Sequence, residues 1–510
     1  MNLDPRTPVI VGVGQAAERI DDSGYRAMSP VELAAAAAQA AIDDCGGAAV
    51  SPAIDTIAAL RQFEISGPVA SAVLGRSNNY PRSVAKRIGA EPARAILEIV
   101  GGQGPQHLIS ELAAEIAAGR SEVAMVFGSD ATSTLRHFAR AENKPDFSET
   151  LDRYDGDLED RGHGIEKLIS RYTVIHGLTS APIQYALLEN ARRAGTGLGP
   201  AEYRRQMGEL FAPFSKIAAG NPFAAAPVER TVDELITVTE RNRMIAEPYP
   251  RLMVSRDQVN QGAAALLMSV GAARRLKVPE DNWVYLHGHA DLEEQPLLER
   301  TDLGHAPSAV MAVREALAMA GIGIDDVATF DLYSCFPVPV FNICDGMGIA
   351  PDDPRGLTLT GGLPFFGGAG NNYSMHAVAE TVTQMKSTPG QFGLVGANGG
   401  LLSKYSVGVY STIPTAWKPD RSPQLQAQVA DWPTQSVTEN ADGTGTVETY
   451  TVRRDDGRPT GIIIGRLDDD DSRFLSTTED DELITLLTDG DPLGRQVRVC
   501  SFDYGNRCVL

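Results

Sequence analysis

The sequence predicts an α/β protein with two similar halves, an inserted region between them and a small antiparallel β-barrel at the C-terminus. Three observations support this fold class. A block that reads strand, glycine-rich turn, helix and strand occurs twice, a region rich in charged and aromatic residues separates the two blocks, and short strand-like segments follow a proline-rich stretch. The length of 510 residues is enough for two to four domains.

The composition excludes several classes of protein. A hydrophobic fraction of 43% with 50 glycines is typical of a soluble α/β protein. The net charge of −21 opposes binding to nucleic acids and to anionic membranes. No apolar run approaches the roughly 18 residues that span a bilayer, and the start resembles no signal peptide. The five cysteines have neither disulfide nor zinc spacing. We therefore expect a cytoplasmic protein without a membrane or nucleic-acid partner.

The first half opens with a strand at Val9–Val13 and a long helix. Ser29 can cap this helix, Pro30 suits its first position, and Glu32 completes a capping box. The helix continues through small apolar residues to Cys45 and is apolar on nearly every face. This pattern predicts a buried helix that packs closely against its neighbours.

The segment Gly12–Ala17 imitates a dinucleotide-binding fingerprint, because its glycines follow a strand. In that motif the glycine turn opens a helix at once, whereas here the helix starts only after Ser29. We interpret the segment as a tight turn and expect no nicotinamide cofactor.

Two blocks of the same order follow. The first consists of Arg94–Val100 (strand), Gly101–Pro105 (turn), about 106–118 (helix) and Val123–Phe127 (strand). The second consists of Leu357–Thr360 (strand), Gly361–Gly370 (turn), about Tyr373–Met385 (helix) and Gly393–Val395 (strand). Such a duplication predicts that both turns direct a helix N-terminus at a common centre.

The region from about 131 to 250 interrupts the α/β pattern with helix-like stretches at Ile183–Ala194 and Pro200–Phe211. We interpret it as an inserted lid. Near the C-terminus, a proline-rich linker at 412–435 precedes a domain at 436–510. The domain is predicted to be an OB-like barrel with strands at Thr446–Arg453, Gly461–Arg466, Ser472–Leu475 and Gln496–Ser501 and turns at Asp456-Gly457 and Asp489-Gly490.

The chain also contains the segments Leu252–Ala265, Tyr333–Phe336 and Asn398–Gly400. Together with the two glycine-rich turns, in this order and spacing, they resemble the thiolase superfamily. The branch is the one related to sterol-carrier-protein thiolases, thiolase-like protein type 1. The resemblance covers about residues 6–411, so residues 1–411 form the expected thiolase-like domain. It implies a five-layered αβαβα fold, a coenzyme A thioester as ligand, and no further cofactor.

The resemblance also implies a catalytic centre, and here its residues are replaced. Thiolases use a nucleophilic cysteine in the first turn, a histidine base in the second turn and a second cysteine as acid. The matching positions hold Gly101, Gly368 and Ala397. A glycine cannot form an acyl-enzyme, so the covalent route is absent. We therefore expect no thiolase activity, although the fold alone would suggest an acetyl-CoA acetyltransferase.

Other polar residues fall where the family has its active centre. The candidates for catalysis are Tyr333, Tyr373 and His376. The candidates for ligand binding are Gly102, Gln103, Gly104, Ser334, Cys335, Gly367, Asn371, Asn372, Asn398 and Gly399. A minor alternative makes Cys335 a nucleophile with His376 as its base. His287 and His289 alternate along a strand without a third ligand, so we expect no metal.

Three functions stay open. The chain could bind an acyl-CoA in lipid, fatty-acid or sterol metabolism without acyl transfer. It could instead be a retro-aldolase that cleaves β-hydroxyacyl-CoA with tyrosines, as thiolase-like aldolases do. The third alternative is a structural protein with a collapsed pocket. The C-terminal barrel carries more acidic than basic residues, so a protein partner suits it better than a nucleic acid.

Overall fold

The structure is a computed structural model that describes residues 3–67, 71–152, 156–165, 168–455 and 458–510. The turn predicted at Asp456-Gly457 lies outside these residues. The strands are β1 (Pro8–Ala17), β2 (Thr56–Ala59), β3 (Arg94–Leu97), β4 (Val123–Asp130), β5 (Glu159–Asp160), β6 (Met244–Ala246), β7 (Tyr249–Pro250), β8 (Gln261–Ser269), β9 (Tyr285–Glu293), β10 (Val327–Leu332), β11 (Phe392–Gly399), β12 (Lys404–Ser411), β13 (Gly443–Asp455), β14 (Arg458–Leu467), β15 (Arg473–Thr478), β16 (Gln496–Phe502) and β17 (Gly505–Val509).

The α-helices are α1 (Pro30–Cys45), α2 (Tyr80–Arg87), α3 (Gly104–Ala117), α4 (Thr132–Phe138), α5 (Arg171–Ile175), α6 (Ala181–Thr196), α7 (Pro200–Gly220), α8 (Val232–Ile236), α9 (Val270–Arg275), α10 (Pro307–Ala320), α11 (Pro337–Met347), α12 (Tyr373–Ser387), α13 (Ser422–Ala430) and α14 (Asp481–Asp489). Among the described residues, no helix is both long enough and apolar enough to cross a membrane.

Two mixed sheets form the body of the protein. The first has the strand order β1-β8-β4-β2-β3-β5, and the second has the order β10-β11-β12-β9. One buried cluster joins α3 and α12 to strands of both sheets, so these helices form the central layer. The helices α1 and α2 cover the outer face of the first sheet, and α10 and α11 cover that of the second. The predicted five-layered αβαβα fold is confirmed.

The first helix forms as the sequence predicts. The Ser29 side chain accepts from the backbone N–H of Glu32, and the Glu32 carboxylate accepts from the backbone N–H of Ser29. The prediction of a tight turn at Gly12–Ala17 is wrong, because this segment continues β1. Its glycines allow α1 to lie against the strand: a Cβ at Gly14 would lie 2.1 Å from the carbonyl oxygen of Ala37.

The second block differs from its prediction at Leu357–Thr360, which forms no strand. The strand that precedes the second turn in the sheet is β10. The Asp331 carboxylate, at the end of β10, accepts hydrogen bonds from the backbone N–H groups of Leu359 and Thr360, each at 2.9 Å. These donors are thus used by a side chain instead of a neighbouring strand, because buried backbone groups require a partner.

The C-terminal strands close into a small barrel. β13 pairs with β14 and β16, and β15 pairs with β14 and β17. β16 and β17 also pair, which completes a five-stranded ring. The predicted barrel is confirmed, and all its pairings are antiparallel except the parallel contact of β15 with β17. The sequence analysis missed β17 and α14.

The barrel packs against the inserted region. Asn190 on α6 donates to the carbonyl of Tyr450 at 2.9 Å, and the Thr449 hydroxyl donates to the carbonyl of Leu187. Arg193 forms a bidentate ion pair with Asp491. The predicted linker at 412–435 contains α13, which packs on β9. Independent folding of residues 436–510 stays a prediction.

Candidate functional site

The two glycine-rich turns meet at the centre of the body. The backbone N–H of Gly101 donates to the side-chain oxygen of Asn371 at 2.9 Å. The Ser374 hydroxyl donates to the carbonyl of Gly102 at 2.6 Å. The helices α3 and α12 begin at these turns. The two helix N-termini are therefore joined by hydrogen bonds, as the duplicated blocks predict.

A cavity of about 800 Å³ opens beside these turns. Of the residues that the sequence predicts for the site, those that line it are Gly101, Gly102, Tyr333, Cys335, Gly368, Asn371, Asn398 and Gly399. Those that lie outside its lining are Gln103, Gly104, Ser334, Gly367, Asn372, Tyr373, His376 and Ala397. The remaining walls come from the inserted region and from the turn before β8.

Tyr333 presents its hydroxyl to the cavity. A Cβ added at Gly102 would lie 2.3 Å from this hydroxyl oxygen, so only glycine leaves room for the ring. Among the described residues, the hydroxyl of Tyr333 has no hydrogen-bond partner. Burial raises the pKa of Tyr333 above its ordinary value, so the group is a neutral phenol at physiological pH. It can donate a hydrogen bond to a ligand.

Tyr185 is a site residue that the sequence analysis missed. It lies on α6 of the inserted region, and its ring stacks on Phe336 with the ring centroids 4.7 Å apart. Its hydroxyl donates to the carbonyl of Gly400 at 2.9 Å and accepts from the side-chain nitrogen of Asn398 at 2.8 Å. The inserted region thus supplies a wall of the cavity and fixes the orientation of the Asn398 amide.

Cys335 lies next to this pair. Burial raises the pKa of the Cys335 thiol to about 12, while the neighbouring Tyr185 and Asn398 lower it. The thiol is therefore protonated at neutral pH and a poor nucleophile. The Asn398 side-chain oxygen is buried and has no partner among the described residues. An unsatisfied buried amide oxygen is costly unless a ligand supplies a donor.

Tyr373 and His376 point away from the cavity. The Tyr373 hydroxyl shares a hydrogen bond of 2.6 Å with Thr360, within the buried polar group around Asp331. His376 contacts the side-chain oxygen of Gln15 at 2.7 Å, and burial lowers its pKa to about 3. The structure thus brings Cys335 to the cavity without His376.

Two arginines near the rim were also missed. Arg251 and Arg256 flank Val254 and Ser255, which line the cavity. Burial lowers the pKa of Arg256, and the charge of Arg251 lowers it further. Neither guanidinium forms an ion pair within 4 Å among the described residues; Asp257, whose charge raises the pKa of Arg256, pairs with Arg136. Two close cations without an ion-pair partner can bind a phosphate group.

A buried carboxyl group, that of Asp130, lies behind the cavity wall, and Glu64 is close enough for its charge to act on Asp130. Asp130 accepts from the backbone N–H of Phe63, and its second oxygen is buried without a partner among the described residues. Burial raises the pKa of Asp130 to about 8 and that of Glu64 to about 7. Phe63 and Gly370 line the cavity in front of Asp130. Asp130 is thus a neutral carboxyl group at physiological pH.

The two histidines of β9, for which the sequence analysis expects no metal, have partners within the protein. A ring nitrogen of His287 contacts the carbonyl of Ile413 at 2.8 Å, and His289 stacks on Trp417. Both side chains hold the segment after β12 against β9. They serve the packing of this segment.

A family model described as "Thiolase-like protein type 1 additional C-terminal domain" matches residues 424–503. The crystal structure of a monomeric SCP2-thiolase like protein type 1 from Mycobacterium smegmatis is 57% identical, with a TM-score of 0.87 and full coverage of both chains. No curated protein matches the chain.

Two more distant structures share the fold. The Ltp2-ChsH2(DUF35) aldolase is 20% identical with a TM-score of 0.56, and the match covers 80% of this chain and 98% of that one. An acetyl-CoA acetyltransferase from Syntrophomonas wolfei is 14% identical with a TM-score of 0.55, covering 80% and 99%. At these identities the likeness concerns the fold alone.

Proposed function

The chain belongs to the SCP2-thiolase-like proteins of type 1, and from this premise we propose that it binds an acyl-CoA thioester without carrying out acyl transfer. The observation that carries this proposal is the cavity between the two helix N-termini, which is open but lacks the thiolase nucleophile, base and acid. A volume of about 800 Å³ falls within the range of about 300–1,000 Å³ that is typical of small-molecule sites. Such a volume opposes the alternative of a collapsed pocket.

The lining suits a neutral carbonyl group. Tyr333 offers a phenolic O–H, and the glycine turn at the start of α3 offers the positive end of a helix. Both can stabilise partial negative charge on a thioester oxygen. The unpartnered oxygen of Asn398 accepts one further hydrogen bond, for which the amide groups of a pantetheine arm are suitable donors.

The arginine pair suits the other end of coenzyme A. The protein is strongly acidic overall, so phosphate groups require a local cationic site. Arg251 and Arg256 provide one at the rim of the cavity. A ligand with its phosphates on this pair would place its pantetheine arm in the cavity.

Isothermal titration calorimetry with acetyl-CoA tests the proposal. We expect binding that weakens about tenfold or more when Arg251 and Arg256 are both replaced by alanine, since charge-assisted hydrogen bonds to phosphate are lost. Arg495→Ala on the barrel is the matched control and should leave the affinity unchanged. Equal affinity of all three proteins would exclude the arginine pair, and no binding by the wild type would exclude the proposed function.

A second candidate is retro-aldol cleavage of a β-hydroxyacyl-CoA. It is favoured by the hydroxyl of Tyr333, which faces the cavity without a protein partner, and by the name aldolase of one fold relative. Cleavage breaks the Cα–Cβ bond: the β-hydroxyl gives its proton to solvent and becomes a carbonyl, and the neutral phenol of Tyr333 can donate a proton to the developing enolate. Mass spectrometry of a β-hydroxyacyl-CoA incubated with the protein tests this reaction. If the wild type releases product, Tyr333→Phe should slow it about 100-fold.

A further inference from the structure

A second cavity of about 820 Å³ adjoins the first. Its walls come from the inserted region, the segment after β9, helix α13 and the start of the C-terminal domain. Four residues line both cavities: Leu168, Leu178, Gln184 and Leu401. The Gln184 side-chain nitrogen donates to the carbonyl of Leu178 at 2.8 Å, which holds this shared wall together. The two cavities are thus separated by a wall made mainly of leucine side chains.

Part of the wall of the second cavity is apolar. Its apolar lining includes Ile99, Leu297, Leu298, Val429 and Val437. Since each buried methylene group contributes about 0.8 kcal/mol, or about fourfold in affinity, such a lining favours a hydrocarbon chain.

The charges in the second cavity oppose a phosphate. The carboxylates in its lining are those of Glu293, Glu294, Glu299 and Glu439. The lining also has two cations. Arg300 donates to the carbonyls of Gln295 and Leu401, while its Nη1 has no partner among the described residues, and Lys404 donates to the carbonyl of Gly164 at 3.0 Å. Since the four carboxylates outnumber these two cations, we assign the nucleotide end of a coenzyme A ligand to Arg251 and Arg256 and the acyl end to the second cavity.

We propose that the second cavity holds the distal part of a long acyl chain that crosses the wall of Leu168, Leu178, Gln184 and Leu401. This inference rests on the proposed function and adds to it a substrate class: thioesters whose acyl chain is too long for the first cavity. It also gives the added C-terminal region a role, because α13 and the residues before β13 complete the chamber.

Helix α13 offers a matched pair of variants. Ala430 lines the second cavity only and is exposed, so Ala430→Trp fills the chamber without disturbing a core. Ala427 is exposed on the same helix and lines neither cavity. Ala427→Trp therefore adds the same side chain at a neutral place. Val437→Trp, at another exposed position of the chamber, is an independent second variant.

Calorimetric titrations with acetyl-CoA, octanoyl-CoA and lauroyl-CoA test the inference. In the wild type, affinity should increase along the series by about fourfold for each buried methylene. Ala430→Trp and Val437→Trp should lower the affinity for lauroyl-CoA at least tenfold and leave the affinity for acetyl-CoA unchanged. Ala427→Trp should change neither affinity. Equal affinity of the wild type for all three thioesters would overturn the chamber but not the proposed function. No binding of any thioester would overturn the proposed function itself. If the wild type prefers long chains but both chamber variants bind lauroyl-CoA as tightly as it does, the acyl chain lies elsewhere and the inference is wrong.

Discussion

The substitution Gly101→Cys places a cysteine at the position of the thiolase nucleophile in the first glycine-rich turn. It tests how tightly this turn is packed and whether one cysteine is enough for thiolase chemistry. Gly101 has φ of 150°, and a Cβ there would lie 2.0 Å from the side-chain oxygen of Gln103. The Gln103 side chain cannot move towards β11, because its oxygen is already close to Gly399. A Cβ built on Gly399 would lie 1.8 Å from that oxygen. Gly101→Cys therefore meets both an unfavourable backbone conformation and a wedged amide.

The expected cost follows from these two contributions. An unfavourable φ costs about 1–3 kcal/mol, and overpacking costs about 1–3 kcal/mol. We expect Gly101→Cys to lower the free energy of unfolding by about 2–6 kcal/mol in urea denaturation. Gly101→Cys/Gln103→Ala removes the clash and should recover about half of this loss. If the single variant were as stable as the wild type, the turn would be looser than its contacts indicate.

The same variants test the chemistry. Neither variant should cleave acetoacetyl-CoA in the presence of coenzyme A, because both lack a base at the cavity. Gly368 occupies the position of the thiolase histidine, and His376 lies outside the cavity lining. Loss of the enolate absorbance of acetoacetyl-CoA measures the reaction, and mass spectrometry after iodoacetamide treatment shows whether the new thiol is accessible. Turnover approaching the typical enzyme value of about 10 per second would show that one cysteine suffices and would refute the reasoning.

Three further predictions concern the site and the core. Tyr185→Phe should weaken acyl-CoA binding about tenfold in calorimetry, because it frees the Asn398 amide, whereas Tyr373→Phe should leave binding unchanged; equal effects would remove Tyr185 from the site. Since burial raises the pKa of Asp130 to about 8, the folded protein keeps this proton between about pH 4 and pH 8 while the unfolded chain loses it, so wild-type stability falls as pH rises. Asp130→Asn should lack this decline and be a few kcal/mol more stable near pH 8 in urea titrations; parallel pH profiles would contradict this. Gly14→Ala should destabilise by about 1–3 kcal/mol through its clash with α1, whereas Gly24→Ala, with open space around it, should be neutral.

Local patterns in the sequence predict much of the fold. The capping box at Ser29, the duplicated blocks and the alternating C-terminal strands each depend on residues close together in the chain. The structure differs from these predictions where a group far away in the sequence determines the local conformation. Leu357–Thr360 resembles a strand, but Asp331 takes its backbone donors. Gly12 and Gly14 resemble a turn, but they make room for α1.

The site shows the same division. The order of the motifs predicts the lining from Gly101, Tyr333 and Asn398, because these residues stand at the ends of core elements. Tyr185 is 213 residues from Asn398, and no local pattern marks its approach. Tyr373 follows a site turn, yet the buried carboxylate of Asp331 draws its hydroxyl away, since a buried charge requires hydrogen-bond donors.

The central claim is that the protein binds a coenzyme A thioester without acyl transfer, and its most direct test makes two measurements on one sample. The protein is titrated with acetoacetyl-CoA in a calorimeter, and the thioester is then recovered and analysed by mass spectrometry after prolonged incubation with free coenzyme A. We predict saturable binding at one site and full recovery of unchanged acetoacetyl-CoA, with no acylated protein. Formation of acetyl-CoA or of an acyl-enzyme would contradict the loss of thiolase chemistry, and the absence of heat would contradict the binding of a coenzyme A thioester.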